Sequence, residues 1–233
     1  MSAGRCDEVR AVRLMAWTQA LQRWWQRRQL LNQQWTDARY VVVDIETSGL
    51  DVNQDVMLAI AWIEVRPPCL EYQSARYFVL DSAADTSHDL KQSPVVHGLV
   101  QRDFNESTDS RPVLQELAQV LEGAILVCHH THLDWQFLQV AARDHGMKLS
   151  PLGWFDTLQF ELRRLRNQQH HIPRGSLTLA AARGRYRLPD YHAHHAFNDA
   201  VACAELMLAQ GYQYAGSAKA SVKNLLQVGR VRL

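Results

Sequence analysis

No Cys-x-x-Cys pair, no apolar run long enough to span a bilayer, no internal repeat and no low-complexity tract occur in this 233-residue chain. Each absence excludes something. Cys6, Cys69, Cys128 and Cys203 are scattered, which rules out a dense disulfide framework and fits buried or free thiols in a reducing compartment. Without a spanning stretch or an apolar signal segment at the start, the expectation is a cytoplasmic protein with no membrane span. Strong net charge is also missing, although the balance of +1 hides an uneven distribution along the chain. What is present is ordinary for a globular chain, 47% hydrophobic and 21% charged. The length suits one α/β domain with some decoration.

The start of the chain reads differently from the rest. Leu14, Trp17, Leu21, Trp24 and Leu31 fall at helical spacing among Arg13, Arg23, Arg27 and Arg28, and neither Pro nor Gly interrupts Glu8 to Trp35. This predicts an amphipathic helical extension over residues 1–37. Its Trp/Leu stripe is too apolar to stay exposed, so it should pack on the main domain, a protein partner or a second copy, the alternative being a basic helix that touches a membrane surface or nucleic acid. Residues 38–210 form the main domain, and 211–233 a short tail made basic by Lys219, Lys223, Arg230 and Arg232.

Within the main domain, Tyr40–Asp44, Met57–Val65 and Ala75–Leu80 read as strands with connectors short enough for an antiparallel meander. Ala124–Cys128 reads as a later strand. Helices are expected over Pro112–Leu121, His132–His145, Phe155–Leu165, Leu177–Ala182 and Ala196–Leu208. The sum is a mixed sheet flanked by helices, an α/β fold.

Asp44 and Glu46 close the first strand. Residues two apart on a strand share a face, so both carboxylates project together. Two close anions repel, and burial makes this worse, so a cation should neutralise them. Oxygen donors favour Mg²⁺ or Mn²⁺. Thr47, Ser48 and Gly49 then leave small polar groups and open backbone beside the ions. Asp134, near a helix start, and Asp199, within His194-His-Ala-Phe-Asn-Asp199, sit where an α/β sheet gathers ligands. Four carboxylates suffice for two cations about 3.5–4 Å apart, and a histidine adds a base titrating near neutral pH. The arginines at 163, 164, 166, 174, 183, 185 and 187 span a segment free of Asp and Glu, either a solvated face or a wall that meets phosphates.

These motifs resemble those of the DEDD exonucleases of the His-bearing branch, typified by the proofreading subunits of bacterial replicative polymerases. Asp-x-Glu-Thr-x-Gly is matched by Asp44, Glu46, Thr47 and Gly49. The second motif is met by His129-His-Thr-His-Leu-Asp134, and His-x-Ala-x-x-Asp by His194, Ala196 and Asp199. The resemblance implies an RNase H-like fold with a five-stranded mixed sheet. It implies a hydrolase that removes nucleotides from a 3′ end, DNA more than RNA, using two Mg²⁺ or Mn²⁺ ions per site. Asp44 would bridge the metals, Glu46 and Asp199 would hold the one carrying the attacking water, and Asp134 would serve the other. His194 would be the base. Thr47 would lie by the terminal sugar and Leu50 against the terminal bases, with Gly49 also counted among the substrate-binding residues. Apart from the resemblance, the arginine-rich segment is expected to bind the substrate strand, through Arg183 and Arg185. The implied partners are single-stranded nucleic acid or 3′ ends of DNA.

Some features depart from the pattern. His130 replaces the usual Asn and Leu133 the common Phe. No long polymerase-binding segment follows Gln210, which favours a free-standing enzyme. Helical geometry would choose His195 as base, because it lies four residues from Asp199. His194, five residues away and about 140° around a helix, works only if the helix starts near Ala196. Two other readings compete. His130-x-His132-x-Asp134 is part of a zinc-hydrolase signature, but it leaves Asp44 and Glu46 without a role. A non-catalytic nucleic-acid-binding module should have lost some of Asp44, Glu46, Asp134, His194 and Asp199, and all five are present.

Overall fold

Tyr40-Val-Val-Val places bulky side chains on both sides of an extended backbone, and all four are buried. In the computed structural model this run opens β1 (Tyr40–Thr47). The other strands are β2 (Met57–Arg66), β3 (Cys69–Val79), β4 (Ile125–Cys128) and β5 (Gly153–Asp156). They form one sheet in the order β3-β2-β1-β4-β5, with β1 at the centre. β1 to β3 make the expected antiparallel meander, and β4 and β5 add in parallel beside β1. The structure describes residues 3–81, 107–168, 171–191, 194–216 and 219–230, with side chains from residue 17 onward except Gln19. The expectations for Cys6, Arg13, Leu14 and Arg232 lie outside the described side chains.

Seven helices are described: α1 (Ala3–Asn32), α2 (Ser110–Leu121), α3 (Thr131–Asp144), α4 (Thr157–Gln168), α5 (Leu179–Arg185), α6 (Ala196–Ala215) and α7 (Val222–Val228). Alternation along β1 divides the core between two layers. Val41 and Val43 face Leu114, Leu117 and Leu121 of α2 and Trp135 and Leu138 of α3. Tyr40 and Val42 face Phe160 of α4, Cys203 and Met207 of α6, and Val222 and Leu225 of α7. Each fully buried aliphatic side chain contributes roughly 1.5–3 kcal/mol relative to exposure. Continuing the even-numbered series directs Asp44 and Glu46 toward α6.

Three sequence expectations need correction. Phe155 lies in β5, and the helix starts only at Thr157. Four residues are too few for a strand period to show. β3 begins at Cys69, six residues before the expected Ala75, because its first half is polar and partly exposed. The chain after residue 210 is more than a basic tail, since α6 runs to Ala215 and α7 buries Val222 and Leu225.

The ends of the described chain clasp one another. The Trp35 N–H donates to the Ala220 carbonyl and the Val222 N–H to the Gln33 carbonyl, both at 3.0 Å. Trp35 is buried edge-on to Tyr212. A side chain at Gly211 would stand 2.7 Å from the Trp35 ring, so glycine is what permits that approach. Leu30 is buried too, and the boundary expected at residue 37 cuts through these contacts. Further back, α1 touches the domain through Arg23, which donates to the Ser150 carbonyl at 3.1 Å, while its apolar side chains face outward. Trp17, Leu21, Trp24 and Trp25 are 77%, 63%, 53% and 56% exposed, so this part of the stripe does not pack on the main domain. Among the described residues, no helix is long and apolar enough to cross a membrane.

Candidate active site

The carboxylates of Asp44 and Glu46 leave the end of β1 together, and that of Asp199 meets them from the first turn of α6. One oxygen from each lies within 4.8 Å of the others, the one such group with metal-holding geometry among the described residues. Pairing with β2 shifts between Glu46 and Thr47, so the chain leaves the sheet beside the cluster. The following turn is closed by its own hydroxyls. Thr47 donates to the Gly49 carbonyl at 2.6 Å and Ser48 to Asp55 at 3.0 Å, while Asp55 also accepts the Asp51 N–H. A side chain at Gly49 would collide with the Asp55 carboxylate. Leu50 projects from this turn, 73% exposed.

Asp134 enters from the first turn of α3 and is buried, and its Oδ2 has no hydrogen-bond partner. Asp156, which the sequence reading passed over, fixes its place. The Asp156 carboxylate accepts the Thr131 N–H at 2.9 Å, and those of Leu158 and Gln159 at 2.9 and 3.0 Å. One side chain therefore caps both α3 and α4. An Asp directly before a predicted helix is a recognisable cap signal, and it was obscured because the helix was started two residues early. Within the second motif, His129 Nε2 faces the Leu177 carbonyl at 2.8 Å and must carry the proton, so Nδ1 accepts from the Thr157 hydroxyl. Burial lowers the His129 pKa and keeps it neutral. His130 adopts a left-handed φ of 88°, and its side chain, like that of His132, is exposed. The His130-His132-Asp134 set forms no metal-holding group among the described residues.

Four carboxylates without countercharge perturb one another. Burial, then the charges of Asp134, Asp199 and Glu46, push Asp44 far above the usual carboxylate range. Burial and Asp199 raise Glu46 to about 8. Asp134 is raised mainly by burial, eased by a hydrogen bond from the Cys128 thiol. Asp199 is raised less, because Tyr191 and the backbone of His194 and His195 oppose its burial. The metal-free site therefore holds protons that a divalent cation would displace.

α6 begins at Ala196, as the His194 reading requires. His194 lies on the preceding turn with φ 66°, its imidazole exposed and its N–H donating to Asp199 Oδ2 at 3.0 Å. His195 occupies the cap position and turns away, its ring against Tyr77 at 4.6 Å.

Arg183 and Arg185 are not placed to receive a strand. Arg183 is 3% exposed and donates to the carbonyls of Ala202 and Pro189 while pairing with Glu205 at 2.7 Å. Arg185 bonds Glu161 at 2.9 Å and the Ser176 carbonyl at 2.7 Å. Arg164 joins Glu161 as well, at 3.1 Å. The acids that pair these arginines lie outside the acid-free segment or just before it, so reading the segment alone hid the pairing.

The family model for RNase_T exonucleases matches residues 41–207. The PolC-type DNA polymerase III of Thermotoga maritima is 25% identical over 178 residues, covering 74% of this chain and 12% of that protein. The chain thus spans about an eighth of that relative's length. Among solved structures, cell-death related nuclease 4 superposes with a TM-score of 0.61 at 13% identity, over 76% of this chain and 64% of that one. Escherichia coli exonuclease I in complex with a dT13 oligonucleotide gives 0.58 at 12% identity, over 76% and 41%. At these identities the likeness is one of fold, and it bears out the RNase H-like sheet.

Proposed function

Because the chain belongs to the RNase_T exonuclease family, we propose that it shortens nucleic acid from the 3′ end, DNA in preference to RNA, with two Mg²⁺ or Mn²⁺ ions in the acidic cluster. The observation that carries this reading is the convergence of Asp44, Glu46 and Asp199 from β1 and α6, with Asp134 beside them. The donors suit the ions. All are carboxylate oxygens, and the buried Asp134 Oδ2 and Asp199 Oδ1 lack any protein partner. When bound, the ions would neutralise the scissile phosphate and lower the pKa of the attacking water.

The chain's residues then divide the work. Asp44, Glu46 and Asp199 would hold the ions from the cluster, with Asp134 beside them, and Asp44 is the residue assigned to both. The exposed His194 imidazole takes the proton from the attacking water, and its turn lets it approach when substrate is seated. The backbone around Thr47 and Gly49 meets the terminal sugar, and Leu50 packs against the terminal base. The oligonucleotide held by exonuclease I supports a single strand or frayed 3′ end as substrate. Contact with a protein partner or a second copy through the exposed face of α1 belongs to the same reading.

The test is parallel digestion of 5′-labelled DNA and RNA oligonucleotides with Mg²⁺. Stepwise shortening from the 3′ end that stops in excess chelator is expected. Undiminished activity in chelator, or loss of the 5′ label first, would overturn the reading.

A further inference from the structure

His194 takes a left-handed φ of 66°, a conformation that a residue with a Cβ keeps only where its surroundings enforce it. One restraint is its own N–H, which donates to Asp199 Oδ2 at 3.0 Å. The other stands one residue on. The His195 ring lies against Tyr77 of β3, with centroids 4.6 Å apart and planes tilted by 30°. His195 Nδ1 is buried without a hydrogen-bond partner, so that nitrogen gives the ring no anchor. The sheet register explains how Tyr77 comes to be there. Asp44 of β1 stands opposite Ala61 of β2, and Ala61 stands opposite Tyr77. The three side chains therefore form one row on the α6 face, with Asp44 and Tyr77 about 10 Å apart. Ala196 and Ala200 of α6 pack on Ala61, and these small residues let the helix settle between the two larger ones. The start of α6 is thus flanked twice: Asp199 meets Asp44 on one side, and His195 meets Tyr77 on the other.

We propose that Tyr77 is a positioning residue for the general base: stacked on His195, it holds the start of α6 so that the turn before it presents the His194 imidazole to the attacking water. This rests on the reading of His194 as the base. Without the stack the turn is free to relax toward ordinary backbone angles, and only the fraction still in place is competent. An aromatic pair favours its paired arrangement by about 2–10-fold. The loss in kcat should therefore stay within that range, short of the roughly 10²–10⁴-fold cost of removing a general base outright.

Tyr77→Leu removes the ring but keeps an apolar side chain, and Tyr77→Phe restores the ring. The readouts are kcat and KM on a 5′-labelled single strand, in the wild-type and His194→Ala backgrounds, beside Mn²⁺ affinity from the electron paramagnetic resonance of free Mn²⁺. Tyr77→Leu should lower kcat about 2–10-fold, with KM and Mn²⁺ affinity unchanged, and Tyr77→Phe should recover it. His195→Leu should match Tyr77→Leu, and it decides the matter if Tyr77→Leu fails to fold. In the His194→Ala background the same substitution should cost nothing further, because the group it serves has gone. A loss that persists there shows that Tyr77 acts elsewhere and overturns the proposal. So does wild-type kcat in Tyr77→Leu, a raised KM, a weakened Mn²⁺ affinity, or a Tyr77→Phe protein as slow as Tyr77→Leu. If His194→Ala alone keeps the wild-type kcat, the base assignment fails first and the positioning role with it.

Discussion

Glu161 and Asp44 are both enclosed carboxylates, yet their surroundings differ in every respect. Glu161, fully buried in α4, accepts from Arg164, Arg185, Tyr186 and Gln210. Burial alone would raise its pKa, but the Tyr186, Arg164 and Arg185 hydrogen bonds outweigh that and hold it below the usual range. Asp44 has Asp134, Asp199 and Glu46 for neighbours, and every one of them raises it further. The first arrangement ties α4, α5 and α6 together. The second opposes folding unless something is added. A cluster whose charges are satisfied by the chain is structural, while one whose charges await an outside partner is where chemistry takes place.

The comparison is broken most completely by Asp44→Ala. It removes the carboxylate proposed to hold both ions, and turnover should fall below detection in the digestion assay. The metal-free protein should nevertheless melt no lower than the wild type, because a buried carboxyl crowded by three other acids has gone. His194→Ala should lower kcat by about 10²–10⁴-fold while Mn²⁺ binding is largely kept. His195→Ala should cost far less, and a reversal of the two would exchange their roles. At the satisfied cluster the expectation inverts. Glu161→Gln leaves Arg164 and Arg185 facing an uncharged group. Since both arginines are partly exposed, the loss should sit near the low end for breaking a buried pair, about 3 kcal/mol by chemical denaturation. Activity per folded molecule should persist.

The smallest effect sharpens the contrast through pH. A carboxyl raised in the folded state binds more protons there than in the unfolded chain, so stability falls as pH rises between the two pKa values. For Glu46 that window runs from 4.5 to about 8. In chelator, melting should therefore decline across this range. Added Mg²⁺ should raise the melting temperature more at pH 8 than at pH 6, since fewer protons must leave. A metal-induced gain that is equal at both pH values would contradict the coupling.

How much of this was legible in the sequence depended on the range of the signal. The β1 run and its two carboxylates were legible because a strand period is local, and the start of α6 followed from the motif spacing around His194. β5 was missed because Trp154 and Phe155 fit a helix face as well as a strand. Arg183 and Arg185 were assigned to the substrate because charge along a segment says nothing of partners elsewhere. Glu161 and Glu205 lie on other helices, and only the fold brings them within reach.

The clasp between Gln33–Trp35 and Ala220–Val222 has a consequence in time. A ribosome delivers Trp35 early and Ala220 near the end of the domain, so the indole has no docking surface until almost the whole fold has been made. Contacts this distant in sequence form late and slow the final closure. During that interval Leu30 and Trp35 add to the apolar surface already open on α1, when association with other nascent chains is most probable. The domain is complete only when its latest segment closes over its earliest.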